Sequence, residues 1–484
     1  MPFSEGTKVT GIAEVVTTAG WSRTLATMSE FMRNTDAFTW AMESDPRLRS
    51  TVVTVIMLDR SPDWEEVRNR FRLISQKVPM MRQRVVPSPP PAPPRWEYAP
   101  DFDLDFHLRR VTAPAPGTFD KVLDLARVAA MEDFDRARPL WENTFIDGLE
   151  NDGAAMVLKF HHALTDGIGG IQIGMILFDL SEVPEKHGPM SELPEVPPPP
   201  WLRGYRDTAR YDAQLVGNAV MGTLKNAPKL ISNGIRRPVL TVSSAAEMAA
   251  SVYRTVRPVN RTGSPLMTKR SLIRRLGVLE VPLPQLRAAA HRGGGALNDA
   301  FVAGVAGGLR RYHEKHGAAV GDLHLTMPMS LREEGDEIGG NRLTLMRFDV
   351  PVGVPDPAQR IRQIHERTGR VRHEKSLPYT QWIAGALNMI PRWYIGSILR
   401  HVDFLCSDVP GIPMPVFLGG ARVVTQYAFG PTIGAAVNVT LLTYVDICAL
   451  GIDVDTAAIP DYDVFYESLV AGFDEVLALA SAPT

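Results

Sequence analysis

The spacing of apolar and polar residues divides this chain into strand-like and helix-like stretches that follow one another in turn. Thr51–Leu58 (TVVTVIML) is rich in β-branched residues and predicts a strand, whereas Trp64–Gln76 and Phe119–Met131 place their apolar residues at helical spacing. Trp141–Ile146 and Ala154–Phe160 are strand-like, and the GLENDG between them has the Gly, Asn and Asp that a hairpin turn requires. Ile168–Leu180 predicts a buried helix. Pro87–Pro94 (PSPPPAPP) is an extended loop, because proline supplies no amide hydrogen to a ladder or helix. A second proline block, LPEVPPPPW, closes this half, and the weakly patterned stretch from there to about Gly263 reads as helical linker. The second half opens with the strand-like RRLGVLEVPL and a helix over Leu283–His291, then a long apolar helix, Leu297–Tyr312. Strands are expected at Leu323–Pro328, Leu343–Val350, Ala421–Tyr427, Asn438–Tyr444 and Ile447–Asp453. The chain closes on an amphipathic helix with a Pro-Asp start.

This pattern predicts two mixed α/β halves, residues 1–190 and 266–484, joined by a proline-rich and basic crossover, 191–265. The length of 484 residues independently favours two domains of roughly 200 residues each. Hydrophobic content of 45% and charged content of 22% are those of a globular protein, and a net charge of −2 argues against a general nucleic-acid binder. Two cysteines, Cys406 and Cys448, make no disulfide framework and suit a reducing cytoplasm. MPFSEGTKVTGIAEVV lacks a basic region followed by an apolar core, so no signal peptide is expected. Pro378–Leu399 carries Trp382 and Trp393 among aliphatic residues; it reads as a packed helical pair or as an amphipathic surface resting on lipid, and is too interrupted for a membrane span. Met248–Leu279 is basic without a single acid, which fits a solvated crossover or a contact with anionic phosphates.

The chemistry concentrates in HHALTDG, residues 161–167, directly after a strand-like run. Imidazole exchanges a proton near neutrality, the aspartate can fix a loop or a tautomer, and Gly167 lets the backbone turn. Polar residues at a loop entry, or a metal site built on His and Asp, are the competing readings; HExxH and a Cys/His cluster are both missing from the sequence. No GxSxG is present, which argues against a serine nucleophile.

HHALTDG resembles the HHxxxDG motif of acyltransferases built like chloramphenicol acetyltransferase. A closer resemblance, to the bacterial wax ester synthase/diacylglycerol acyltransferase family, runs over almost the whole chain. It is carried by Pro94–Val111 (PRWEYAPDFDLDFHLRRV), RPLWENTFIDGL, the Asn298-Asp299 pair, MPMSLR, GGN and SDVPG, in that order. The resemblance implies two acetyltransferase-like sandwich domains with mixed sheets and an active-site tunnel at their interface. It further implies an acyl-CoA-dependent O-acyltransferase acting on diacylglycerol or a long-chain alcohol, with acyl-CoA as substrate and no cofactor. A cytoplasmic protein with peripheral contact at a membrane or lipid droplet fits that role. Competing readings are a condensation-type enzyme fed by a carrier protein and a non-catalytic lipid-binding protein.

The resemblance makes His162 the general base and gives Asp166 a structural part, paired with an arginine whose place Arg82 takes. His161 serves more as loop support than as base. Asn298 is an oxyanion donor or a helix N-cap, and Asp299 compensates the helix dipole. Ser330 and Arg332 are placed after a strand, near the interface, with no defined role. Ser407 and Asp408 lie in SDVPG, where the family has SNVPGP. Asp408 thus replaces an asparagine by a group that accepts but, when ionised, cannot donate a hydrogen bond.

Overall fold

The computed structural model describes residues 30–90, 92–165, 167–183, 204–214, 261–330, 343–372 and 401–481. The N-terminal 29 residues, Asp166, Arg332, the GGN motif, the stretch Pro378–Leu399 and most of the expected linker lie outside the described residues.

Two six-stranded mixed sheets form the frame, as the α/β expectation requires. The first runs β12 (Phe417–Leu418), β13 (Ala421–Phe429), β2 (Thr51–Leu58), β7 (Ala154–His161), β6 (Trp141–Asp147) and β5 (Leu108–Thr112). Only β5 and β6 pair in parallel here. The second runs β10 (Leu343–Pro351), β9 (Asp322–Ser330), β11 (Phe404–Ile412), β14 (Val437–Tyr444), β15 (Ile447–Asp455) and β8 (Arg274–Pro282), with β11 parallel to both neighbours. A small sheet joins β1 (Glu30–Phe31), β4 (Arg95–Tyr98) and β3 (Gln83–Val86).

Helices α1 (Asn34–Met42), α2 (Trp64–Lys77), α3 (Phe119–Met131) and α4 (Gly167–Leu177) belong to the first half. The second holds α5 (Leu283–Arg292), α6 (Leu297–Lys315), α7 (Pro357–Arg372) and α8 (Tyr462–Ala478). Local chemistry sets several boundaries. Asp63 caps α2 by accepting from the amides of Glu65 and Glu66, at 2.9 and 3.2 Å, a contact worth about 1 kcal/mol. The β6–β7 connection turns through Gly148 at φ +75° and through Asn151 and Asp152 at φ 59°, the residue types that tolerate left-handed backbone. Helices α6 and α8 meet backbone to backbone because Gly308 and Gly472 have no side chains: a Cβ on Gly472 would stand 2.2 Å from the Gly308 nitrogen.

One feature departs from the expected division into halves. Strands β12 and β13 come from the second half of the chain but complete the first sheet, β13 lying antiparallel to β2 from Val423↔Leu58 to Phe429↔Val53. The partition at 190 and 265 therefore does not divide the sheets. The hydrophobic pattern identified β13 as a strand but carried no mark of its partner, because register and partner are non-local choices.

β13 also brings the two sheets into contact. A Cβ on Gly451 of β15 would lie 2.0 Å from the Ala428 carbonyl oxygen of β13, so any side chain there wedges the sheets apart. Among the described residues, no helix is long and apolar enough to cross a membrane.

Gly451→Val is expected to cost about 1–3 kcal/mol, the range for forced overpacking, and to lower the urea midpoint without changing the slope. An unchanged midpoint contradicts the backbone-to-backbone seam.

Candidate active site

The site is built at the end of β7. Side chains alternate along a strand, so Leu158, Phe160 and His162 follow one another on one face while Lys159 and His161 point the other way. Register fixes the ends: Thr51 pairs with His161, the His161 amide donates to the Leu140 carbonyl at 3.0 Å, and the His162 amide donates to the Ser50 carbonyl at 2.9 Å.

His161 is fully buried. Its Nδ1 accepts from the Ala163 amide at 3.0 Å, which places the proton on Nε2, and Nε2 donates to Glu43 Oε1 at 2.8 Å. The same Glu43 oxygen accepts the Ser50 amide at 2.7 Å, and Arg136 lies 3.6 Å from its other oxygen. Both strand ends around the histidine pair are thereby tied to one buried carboxylate. This geometry gives His161 the loop-supporting part and leaves no lone pair free to act as a base.

His162 is half-buried and lines a cavity of about 270 Å³ between the sheets. Leu158, Phe160, Trp141 and Ile173 form part of its apolar wall, and Ser407, Gln426 and Thr440 supply polar groups. The lining comes from β2, β7, α4, β11, β13 and β14, so the cavity exists only where the halves meet. Trp141 is held by an indole hydrogen bond to the Met81 carbonyl at 2.8 Å and by stacking on His107 at 4.6 Å. His107 Nδ1 donates to the Trp141 carbonyl at 2.6 Å, and burial pushes this imidazole down to about 4, so it stays neutral. The histidine of PRWEYAPDFDLDFHLRRV and the tryptophan of RPLW thus form one supporting stack.

SDVPG lies on β11, where the strand bulges between Val409 and Ile412. Pro410 has no amide to pair, and a Cβ on Gly411 would collide with the Thr443 backbone at 1.5 Å. Asp408 pairs with Leu441, so its side chain lies on the face of the second sheet that carries Cys406, Leu441 and Cys448, opposite to Ser407 and Thr440. It has open surface, but protein surrounds the carboxyl on nearly all sides. That enclosure raises it to about 6.

The remaining expected residues separate. Ser407 joins His162 in the cavity wall, and Asp408 points to the other face of the sheet. Arg82 is buried on the turn before β3, with its guanidinium near the rings of Tyr98 and Phe102, and burial lowers its pKa. Its expected partner Asp166, like Arg332, lies outside the described residues; Gly167 opens α4 and Ser330 ends β9. Asn298 is not a cap, since Ala296 holds that position; its Nδ2 reaches Met327 Sδ at 3.3 Å and it does not line the cavity. Asp299 does act at the first turn of α6: it accepts from the Ala296 amide at 2.8 Å and from His365 Nδ1 at 2.7 Å, away from the cavity wall. Within the basic run, Arg270 donates to the Gly434 and Val402 carbonyls and Arg275 to Asp463, so these cations have internal partners. Among the described residues, no group of three or more His, Cys, Asp or Glu is placed to hold a metal ion.

Sequence reading missed Glu43, Gln426 and Ala428. Nothing in AMESDP marks Glu43 as the partner of a histidine more than a hundred positions away, and the cavity residues of β13 follow from its unforeseen sheet partner.

The profile of the wax ester synthase/diacylglycerol acyltransferase catalytic domain matches residues 32–301, and that of the C-terminal domain matches residues 339–476. A putative diacylglycerol O-acyltransferase of Mycobacterium tuberculosis is 38% identical over 91% of this chain and 90% of its own length. Among solved structures, a wax ester synthase/diacylglycerol acyltransferase from Marinobacter aquaeolei superposes with a TM-score of 0.62 at 20% identity, covering 94% of this chain and all of that one. The first condensation domain of the calcium-dependent antibiotic synthetase gives 0.60 at 14% identity, over 94% and 97% of the two chains. These likenesses extend over both sheets.

Two outcomes test the site. Glu43→Leu strands the His161 and Ser50 donors and is expected to cost about 1–3 kcal/mol for each, measured by urea unfolding, with Glu43→Gln milder; equal stability of the Leu variant contradicts the anchor. For Asp408 the raised folded-state pKa means that the folded protein holds its proton more tightly, so stability is lost as pH rises from about 4 to about 6. Asp408→Asn removes that loss. The stability difference between variant and parent is expected to grow in the variant's favour over this interval, and a flat difference contradicts the enclosed carboxyl.

Proposed function

The chain belongs to the wax ester synthase/diacylglycerol acyltransferase family and is an O-acyltransferase, and on that premise we propose that it moves a fatty acyl group from acyl-CoA to a lipid alcohol with His162 as general base. The observation that carries this reading is the direction of one side chain. His162 continues the row of Leu158 and Phe160 into an apolar cavity, while His161 is turned away and bonded to Glu43.

The chemistry follows from that placement. The acceptor hydroxyl gives its proton to the His162 imidazole as its oxygen attacks the thioester carbonyl. The C–O bond forms, the tetrahedral oxyanion collapses, and the C–S bond breaks. The departing coenzyme A thiolate takes the proton back from the imidazolium, so the ester and free thiol balance the reaction without a covalent enzyme intermediate. Apolar walls suit the acyl chain and exclude water that would otherwise hydrolyse the thioester. The oxyanion role expected of Asn298 is not carried forward, because its amide is turned to Met327.

Palmitoyl-CoA with dioleoylglycerol or hexadecanol is expected to release thiol, and His162→Ala to lower that rate by about 10²- to 10⁴-fold. Release at the parent rate in the variant removes His162 as the base. Turnover only with acyl groups on a carrier protein replaces acyl-CoA as the donor.

A further inference from the structure

The cavity has a direction, and strand register supplies it. His162, Phe160 and Leu158 follow one another on the cavity face of β7, and β2 lines the same space with Val52, Thr54 and Ile56. The last of these rungs joins Met156, Ile56 and Gln426 across β7, β2 and β13. The next rung, Ala154, Leu58 and Val423, belongs to the packed core with Val416 and Tyr444, and none of these five lines the cavity. The space that runs down from His162 is therefore blind at this end, and Gln426 stands there. Six residues of β7 separate His162 from the Met156 rung, about 20 Å at roughly 3.3 Å each. Along α4, the cavity-lining stretch 170–177 rises about 10 Å. A bilayer core, two fatty chains deep, is about 30 Å thick, so a depth between these values is that of one common fatty chain.

Gln426 is the odd residue at that depth. Thr425 and Tyr427, on either side of it, both donate to Glu280 away from the cavity, so alternation turns Gln426 inward beside Ile56. It is only 8% exposed, and its carboxamide makes no hydrogen bond with another described residue. The walls it shares are apolar, with Ile56, Leu177, Ile412 and Leu442 among them. Covering an amide with hydrocarbon, with no hydrogen bond in return, is costly.

We propose that Gln426 sets the limit on acyl length: a fatty chain is taken up to the length that brings its terminal methyl to this carboxamide, and longer chains are refused. The inference rests on the acyl-transfer reading, which puts the reacting carbonyl beside His162. The single chain joined to that carbonyl then has this blind space to enter. The alkyl chain of the acceptor is the other candidate occupant, and the test separates the two.

S-alkyl-CoA thioethers from decyl to eicosyl are titrated into the full-length protein and followed by calorimetry. Affinity is expected to rise about 4-fold per added carbon, the worth of a buried methylene, and to stop rising between dodecyl and octadecyl. Gln426→Leu removes the amide at nearly constant volume. It is expected to raise the ratio of limiting-chain to decyl affinity by about 5- to 100-fold. Gln426→Trp is expected to move the break to shorter chains. A terminal hydroxyl on the limiting chain is expected to tighten binding to the parent and to weaken it in Gln426→Leu, a reversal that a change of shape alone does not produce. An unbroken rise to eicosyl, or a break and a ratio that are the same in both variants, overturns the proposal. So does a break that follows the length of the alcohol in turnover assays and ignores the donor, which assigns the space to the acceptor. If no alcohol is turned over while the thioether break persists and moves with residue 426, the transfer reading fails and the assignment of Gln426 stands.

Discussion

The pairing of β13 with β2 is the constraint on which the rest depends. The nine residues of β13, from the second half of the chain, join the first sheet, and their backbone presses on Gly451 of the second. Because β13 belongs to one sheet and touches the other, the halves cannot separate without breaking a ladder. The cavity is the gap that this seam leaves. Its walls are drawn from strands on both sides, so neither half could bind a substrate there alone.

Within that frame, two adjacent histidines do unlike work because a strand turns successive side chains to opposite faces. His161 is spent on Glu43 and the Ala163 amide, which stiffens the strand end, and His162 inherits a fixed position at the cavity wall. The Trp141–His107 stack supports the same wall from behind. The bulge at Pro410 and Gly411 ends the regular register of β11, in which Ser407 faces the substrate space and Asp408 the opposite side of the sheet.

Much of this was legible in the chain. Thr51–Leu58 and Phe119–Met131 have the boundaries their apolar spacing predicts, and HHALTDG stands at the end of the expected hairpin. The family likeness, carried by motifs in order, anticipated two mixed sheets. What stayed hidden was non-local. Which sheet β13 joins depends on a partner more than three hundred residues away, and Glu43 becomes a histidine ligand only once α1 is folded against β7. Asn298 shows the opposite failure: its motif was plain, but its amide faces a methionine sulfur, which only packing decides. Asp408 lay between these cases, visible as a departure from the family pattern while its enclosure was not.

The central claim is that the acyl chain lies between the sheets with its thioester beside His162. A crystal structure with S-hexadecyl-CoA, a thioether that cannot be cleaved, tests it most directly. The account predicts the alkyl chain along Leu158, Phe160 and Trp141 with the sulfur next to the His162 ring. A chain bound elsewhere, with this cavity empty, contradicts it.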